Sequence, residues 1–183
     1  MLTHAFTCTG PYAVLIMLGI KRVENRSMLP EPRRGRCAVS CSKSFCKEEF
    51  GAFVHWASRA LSEEDFDLIP SWADVKDWPG KIVGACDYAA RGRNDLVLEA
   101  EVACSPKGSG RGRTRQGASL PQMRPSVSLP WDEGYPYWWD LSGIVHFALP
   151  IPCRGNVGMW PLPPALAAEV ARADALVCEN ARR

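Results

Sequence analysis

Residues 11–26 of the chain read PYAVLIMLGIKRVENR, and this stretch does the most to determine the fold. Its first eight residues are apolar nearly all round, a pattern that is typical of a buried helix. Pro11 suits the first turn of such a helix, and Gly19 suits its C-terminal end. The polar residues that follow predict a short strand that leaves the helix at a corner.

The polar part of this stretch places charged groups close together. Glu24 and Arg26 are two residues apart, so on a strand their side chains point to the same face. Lys21 lies at the corner between helix and strand, where it can swing over that face. Two cations and one carboxylate can hold a phosphate or a carbonyl, with Glu24 accepting a base N–H or a proton and Asn25 offering both a donor and an acceptor. Spacing alone favours a simpler interpretation, in which structural ion pairs anchor the strand.

The rest of the chain contains short strands and a few inserted helices. Helical periods cover residues 44–61 and 163–179, the second of these being a predicted C-terminal helix. Strands are predicted at Cys37–Cys41, Ile82–Ala89, Leu96–Cys104, Ile144–Leu149 and Val157–Trp160. The second and third of these strands are expected to pair as an antiparallel hairpin. The pattern predicts the α+β class, with a small barrel and flanking helices, because regular strand–helix alternation is missing.

Residues 105–130 interrupt this pattern. They include one lysine and four arginines, no acidic residue, and many Gly, Ser and Pro residues. This composition predicts a flexible basic loop inserted into the domain. An aromatic cluster follows at residues 131–139. Cations and aromatic rings are the groups that hold single-stranded nucleic acid, whereas a solvated linker and a packed core are the alternative interpretations.

Length and composition predict one globular domain over residues 1–183. Apolar residues make up 46% of the chain, and the net charge is only +2, so nucleic-acid binding would need a local basic patch. The apolar run at residues 11–20 is too short to span a bilayer, and no basic segment precedes it. We therefore expect a cytoplasmic protein with free thiols and no membrane partner.

The eight cysteines do not have the spacing of a structural zinc site. Cys37 and Cys41 fall in an apolar strand, where free cysteine behaves as a small hydrophobic residue. Cys153 stands beside Arg154, a cation that would lower the pKa of its thiol, although an unreactive thiol is the favoured interpretation. No metal and no cofactor is predicted, and nothing in the sequence predicts an oligomeric state.

Gly19, Lys21, Glu24 and Arg26 together resemble the signature of the ASCH family, Gly-x-Lys-x-x-Glu-x-Arg. Later segments are similar to the family's strands and closing loop in the same order, so the resemblance covers residues 11–161. The basic loop stands in it as an insertion, and Tyr12 replaces a tryptophan of many relatives. The segments concerned are Gly35–Arg36, Ser42–Lys43, Lys81–Gly84, Pro150–Gly155 and Gly158–Trp160.

The resemblance implies a PUA-like fold, a small mixed or antiparallel β-barrel with flanking helices. It also implies a cleft between the first helix and the sheet, and a partner that is RNA or a nucleoside or nucleotide, including modified ones. The ligand-binding residues that we predict for this cleft are Tyr12, Lys21, Glu24, Asn25, Arg26, Lys43 and Arg154.

A hydrolase is the alternative function. Some small ASCH relatives are amidohydrolases that remove the acetyl group of N4-acetylcytidine with a Lys, a Thr and a Glu, and others have been linked to RNA cleavage. Lys21 matches the lysine, but Glu24 stands at the threonine position, where a carboxylate cannot replace the hydroxyl nucleophile. A metal-independent hydrolase would need catalytic Glu24 as general base on water and catalytic Lys21 polarising a carbonyl or phosphoryl oxygen.

Overall fold

A computed structural model describes residues 2–92 and 136–181 of the chain. Within these ranges the chain forms six strands: β1 (His4–Cys8), β2 (Val23–Arg26), β3 (Arg34–Cys41), β4 (Lys81–Gly92), β5 (Tyr137–Pro152) and β6 (Met159–Pro161). It also forms five helices: α1 (Gly10–Met17), α2 (Lys47–Ala60), α3 (Glu63–Asp67), α4 (Trp72–Val75) and α5 (Pro164–Asn180).

The six strands form one curled sheet, a half-barrel, in the order β2-β5-β4-β3-β1-β6. Strands β1 and β3 pair in parallel, and every other neighbouring pair is antiparallel. The predicted α+β class is therefore confirmed, and the sheet is mixed with one parallel pair.

Helix α1 is the buried helix that its sequence predicts. Ala13, Val14, Leu15 and Ile16 have no solvent exposure, because the helix is apolar on every side and packs into the core. Gly19 follows the helix with φ of 71°, a left-handed conformation that suits glycine and ends the helix. The chain can therefore turn at once into β2.

The two faces of the sheet carry separate apolar cores, as the alternation along β3 predicts. Cys37, Val39 and Cys41 are buried on the face that α1 and α2 cover. Ala38 points to the opposite face, where α5 packs. The interpretation of Cys37 and Cys41 as core residues is confirmed, and both thiols are free.

Helix α5 is joined to the opposite face by a charged cluster as well as by apolar contacts. Arg36 of β3 donates two hydrogen bonds to Asp174 of α5, at 2.8 and 2.6 Å, and one to Asp87 of β4 at 3.1 Å. It also donates to the Gly143 carbonyl oxygen at 3.0 Å. We call Arg36, Asp87 and Asp174 the helix clamp, since together they fix α5 to the sheet.

The other helices lie beside the first core. The Ser62 hydroxyl accepts a hydrogen bond from the Asp65 N–H at 3.2 Å and caps α3, as its sequence predicts. Phe50 and Phe53 of α2 are buried among the aromatic residues of this core. No helix of residues 2–92 and 136–181 is both long and apolar enough to cross a membrane.

Three features of the sheet differ from the sequence-based predictions. Strand β1 was not predicted, because its five residues are specified by pairing with the distant β3. Strand β5 is longer than Ile144–Leu149 and continues through Pro152. The predicted hairpin is wrong over Ile82–Ala89, because β3 and β5 occupy both edges of β4.

Several predictions fall outside the part of the chain that the structure describes. They are the strand at Leu96–Cys104, the basic loop at residues 105–130, and Trp131 and Tyr135 of the aromatic cluster. Of that cluster, Tyr137, Trp138 and Trp139 lie in β5, where Trp139 is 2% exposed and belongs to the core.

Candidate functional site

One cleft of about 710 Å³ lies among the start of α1, strand β2, the turn after β3 and the loop after β5. All seven predicted ligand-binding residues line it. These residues are Tyr12, Lys21, Glu24, Asn25, Arg26, Lys43 and Arg154. They come from four separate segments of the sequence, which the fold brings to one place.

Three of these residues form a buried charged group, which we call the cleft cluster: Lys21, Glu24 and Arg26. The Lys21 Nζ atom lies 3.3 Å from Glu24 Oε2, and the Arg26 Nη2 atom lies 2.9 Å from Glu24 Oε1. Side-chain exposure is 2% for Lys21, 7% for Glu24 and 18% for Arg26. A carboxylate thus stands between two cations in surroundings that largely exclude water.

Aromatic rings and backbone groups hold Arg26 in position. Its guanidinium carbon lies 5.4 Å from the ring centre of Phe6 and 5.3 Å from that of Trp139, both distances within cation–π range. The two rings contact each other edge to face. Arg26 also donates a hydrogen bond of 2.9 Å to the Thr7 carbonyl oxygen. Its position is therefore set by the core of the sheet.

Lys21 is held just as firmly, and this corrects the expectation that its side chain can swing. Its N–H donates to the Leu15 carbonyl oxygen at 3.0 Å, and its ammonium donates to the Val23 carbonyl oxygen. The Nζ atom also lies 5.0 Å from the ring centre of Tyr12. The lysine is fixed at the corner between α1 and β2 and points inward.

Three polar atoms at this end of the cleft are buried without a hydrogen-bond partner among the described residues. They are Glu24 Oε2, Arg26 Nε and Trp139 Nε1. The contact of Glu24 Oε2 with Lys21 is an ion pair without hydrogen-bond geometry. Buried polar groups are rarely left unpaired, because each one costs about 1–3 kcal/mol when it is desolvated. The cleft cluster therefore keeps an unused capacity for hydrogen bonding.

Two further cations stand at the solvent-exposed edge of the cleft. Lys43 follows β3, Arg154 follows β5, and both side chains are exposed. We call them the rim cations. Neither forms an ion pair within residues 2–92 and 136–181. Asn25 and Tyr12 also line the cleft and are half-buried.

The lining of the cleft is strongly positive, although the whole chain is nearly neutral. Of the residues that the structure describes, four cationic side chains and one carboxylate line it, which leaves a net charge of +3. Low-dielectric walls strengthen such a field and draw anions toward the cleft. The local basic patch that the net charge of +2 for the whole chain could not reveal is therefore present.

Some lining residues were missed by sequence reasoning. Thr7 and Cys8 reach the cleft because they lie on the unpredicted β1, so no sequence signal indicated them. Asn156 and Val157 follow Arg154 in the same loop, and Val157 is 98% exposed. The glycines at positions 155 and 158 that flank them were the available signal of a close-packed turn.

The thiols near the cleft are not activated. Burial raises the pKa of Cys8 well above its usual value, and it raises the pKa of Cys41 to about 12. Burial raises the pKa of Cys153 by more than the hydrogen bond between Cys153 and Ser40 and the charge of Lys43 lower it, so the idea of a low pKa at Cys153 is wrong. In the described parts of the chain, no three His, Cys, Asp or Glu side chains are grouped as metal ligands.

Comparison with known proteins adds no family assignment. The chain matches no protein-family model, and no curated protein matches it significantly in sequence. The resemblance to ASCH proteins therefore depends on the signature and on the order of the segments around it. The geometry of the cleft is independent of that resemblance.

Proposed function

We propose that this chain is an ASCH-type domain with a PUA-like fold, which binds RNA or a nucleotide in its positive cleft. One observation carries the proposal. Seven residues that the sequence singled out, from four separate segments, line the same cleft.

The chemistry of the lining suits a nucleotide. The cations attract phosphate, and Asn25 and Tyr12 can meet a base by hydrogen bonding and by ring contact. Glu24 Oε2 is in an ion pair with Lys21 but accepts no hydrogen bond from the described residues, so it can accept one from a base N–H once a small movement of its neighbours opens it. Trp139 of β5 is taken up by the core, so we assign it no stacking role.

The hydrolase alternative has less support. A general base must reach a water molecule, but Glu24 Oε1 is bonded to Arg26 and Glu24 Oε2 is out of contact with solvent. Lys21 is committed to Glu24 and to a backbone carbonyl oxygen. We therefore propose binding, and turnover of N4-acetylcytidine or of RNA would be the finding that favours catalysis.

The proposal is tested by the binding of a fluorescein-labelled single-stranded RNA 12-mer, followed by anisotropy at 50 and 200 mM salt. The Asn25→Ala variant should bind at least fivefold more weakly, since Asn25 lines the cleft but is only half-buried. Arg26→Met should bind at least tenfold more weakly, with its folding checked by thermal unfolding.

The matched control for Arg26→Met is Arg59→Met, which removes an exposed cation on α2 outside the cleft lining. This control should bind like the unaltered protein. Equal binding by all of these variants would contradict the assignment of the cleft. Absence of binding to the RNA and to all four nucleoside 5′-monophosphates would contradict the function.

A further inference from the structure

The cations of the cleft differ in what they already bind. The two cations of the cleft cluster share the Glu24 carboxylate and also donate to the carbonyl oxygens of Val23 and Thr7. Their charge is largely compensated by these contacts, and water reaches them little. This inner end of the cleft is consequently a poor place for a doubly charged phosphate, which would enter against a desolvated carboxylate.

The rim cations are in the opposite situation. Lys43 and Arg154 form no ion pair in the described parts of the chain, and both are exposed. Among residues 2–92 and 136–181, Glu24 is the one carboxylate that lines the cleft, and it is engaged at the inner end. No carboxylate of these ranges compensates the positive charge at the rim, which is open to an anion from solvent.

Backbone hydrogen bonds at Gly80 fix the two segments that carry the rim cations. The Gly80 N–H donates to the Cys41 carbonyl oxygen, and the Cys153 N–H donates to the Gly80 carbonyl oxygen, both at 3.1 Å. Lys43 lies two residues after Cys41, and Arg154 lies one residue after Cys153. Lys43 and Arg154 are thus attached to two segments that are both hydrogen-bonded to Gly80.

Gly80 also guides the stem of Lys43. Its φ is 71°, and a Cβ atom at this position would lie only 2.8 Å from Lys43 Cγ. The aliphatic stem of Lys43 therefore packs directly on the glycine, while the residue as a whole is exposed. The lysine thus leaves the backbone in contact with Gly80 and keeps its charge accessible to solvent.

The loop that carries Arg154 is seated just as closely. A Cβ atom at Gly155 would lie 2.9 Å from Thr7 Oγ1, so the loop lies against β1. The same Thr7 hydroxyl accepts a hydrogen bond of 3.1 Å from Trp160 Nε1, which holds the far end of the loop. Arg154 accordingly projects from a fixed loop, and its planar guanidinium matches the geometry of phosphate oxygens.

We propose that the rim is a phosphate subsite, and that the ligand of the cleft is a phosphorylated nucleoside rather than a free one. Lys43 and Arg154 hold the phosphate, and the uncharged base and sugar extend toward the cleft cluster. The inference rests on the proposed function and adds to it the orientation of the ligand, with the phosphate at the rim. A mononucleotide and a nucleotide within an RNA strand present the same chemistry.

Calorimetric titration with the four nucleosides and their 5′-monophosphates at 50 mM salt tests the subsite. The monophosphate of the preferred base should bind at least tenfold more tightly than its nucleoside, because it adds charged contacts at the rim. In the double variant Lys43→Ser/Arg154→Ser, this difference between monophosphate and nucleoside should fall to about threefold or less.

The matched control is Arg59→Ser/Lys76→Ser, which removes two exposed cations outside the cleft lining. It should keep the tenfold difference. A comparison of the affinities for the RNA 12-mer and for the monophosphates identifies the source of the phosphate. Tighter binding of the RNA 12-mer than of any monophosphate would assign the subsite to a strand, and the reverse would assign it to a free nucleotide.

Two results would overturn the phosphate subsite while leaving the proposed function intact. The first is equal affinity for nucleoside and monophosphate, with Asn25→Ala weakening both. The second is an unchanged difference in the Lys43→Ser/Arg154→Ser variant. Binding of inorganic phosphate as tightly as any monophosphate would reduce the rim to a general anion site. If no nucleoside, nucleotide or RNA binds, the proposed function and the subsite both fail.

Discussion

The cleft cluster and the helix clamp are each built from three charged side chains at the same sheet and the helices beside it, yet they are bonded in different ways. The helix clamp has one cation and two carboxylates, and the cleft cluster has two cations and one carboxylate. The helix clamp is on the face that α5 covers, where it joins two elements. The cleft cluster lies within β2 and its corner with α1, at the wall of a cleft.

In the helix clamp the hydrogen-bonding groups meet well-placed partners. Arg36 makes four hydrogen bonds, two of them to one carboxylate in the paired geometry that favours arginine. The hydrogen bonds that Arg36 donates to Asp174 are the largest reason that the pKa of Arg36 is raised, with a further contribution from Asp87. Such a cluster is complete without a ligand, so we assign it to stability.

In the cleft cluster, by contrast, some hydrogen-bonding groups have no partner among the described residues. Atoms of Glu24 and Arg26 are buried with no hydrogen-bond partner in the described parts of the chain, although water is largely excluded. Such a state lowers stability, and strain or unused capacity of this kind concentrates at functional sites. The comparison teaches that satisfaction of hydrogen bonds, rather than the number of charges, distinguishes the two roles.

The largest effect is expected from removal of the central carboxylate of the cleft cluster. Glu24→Ala should lower the free energy of unfolding by about 3–5 kcal/mol, because it leaves two cations buried without a counter-charge. Urea denaturation at pH 7 measures this loss. The double variant Glu24→Leu/Lys21→Met should regain part of it. A loss below about 1 kcal/mol for Glu24→Ala would show that the cluster is solvated and would break the comparison.

A smaller effect is expected in the helix clamp. Asp174→Ala should cost about 1–2 kcal/mol, since Arg36 loses two charge-assisted hydrogen bonds but keeps those to Asp87 and Gly143. Glu169→Ala is the control on the same helix, being exposed, and should change stability by less than about 0.5 kcal/mol. RNA affinity should stay the same in both variants. Weakened RNA binding by Asp174→Ala would contradict the assignment of the helix clamp to stability alone.

The smallest effect is a dependence on alkaline pH from the thiols under the cleft. The pKa of Cys41 is about 12 in the fold and near 9.0 when unfolded, so the unfolded state loses its proton first. Stability is present below pH 9 and falls as pH rises from 9 toward 12, by about 1 kcal/mol between pH 9 and pH 10 for this thiol. The Cys41→Ala variant should show a shallower fall between pH 9 and 10 in urea denaturation. An identical slope would mean that Cys41 does not titrate differently on unfolding.

The parts of the fold that were predictable are those whose pattern is local. The apolar run before Gly19 specifies α1 on its own, and the two-residue spacing of Glu24 and Arg26 puts them on one face of a strand. The alternation along β3 likewise assigned its inward residues. The seven residues of the cleft were named from the signature and its surroundings, and all of them line it.

The parts that were not predictable depend on distant partners. Strand β1 is only five residues long and exists by pairing with β3, about 33 positions away, and with β6 at the other end of the chain. The neighbour of β4 was misassigned for the same reason, since a strand's pattern does not name the strand that pairs with it. Lys21 is buried by tertiary packing, and its neighbours in the sequence do not indicate that packing.

The arrangement around Gly80 has a consequence for how the cleft can change. Main-chain hydrogen bonds, not side chains, set the spacing of the segments after Cys41 and Cys153. The residues at positions 43 and 154 can therefore be exchanged while the scaffold beneath them is preserved. Ligand preference becomes separable from folding here, so selectivity can be redesigned at two exposed positions without touching the core.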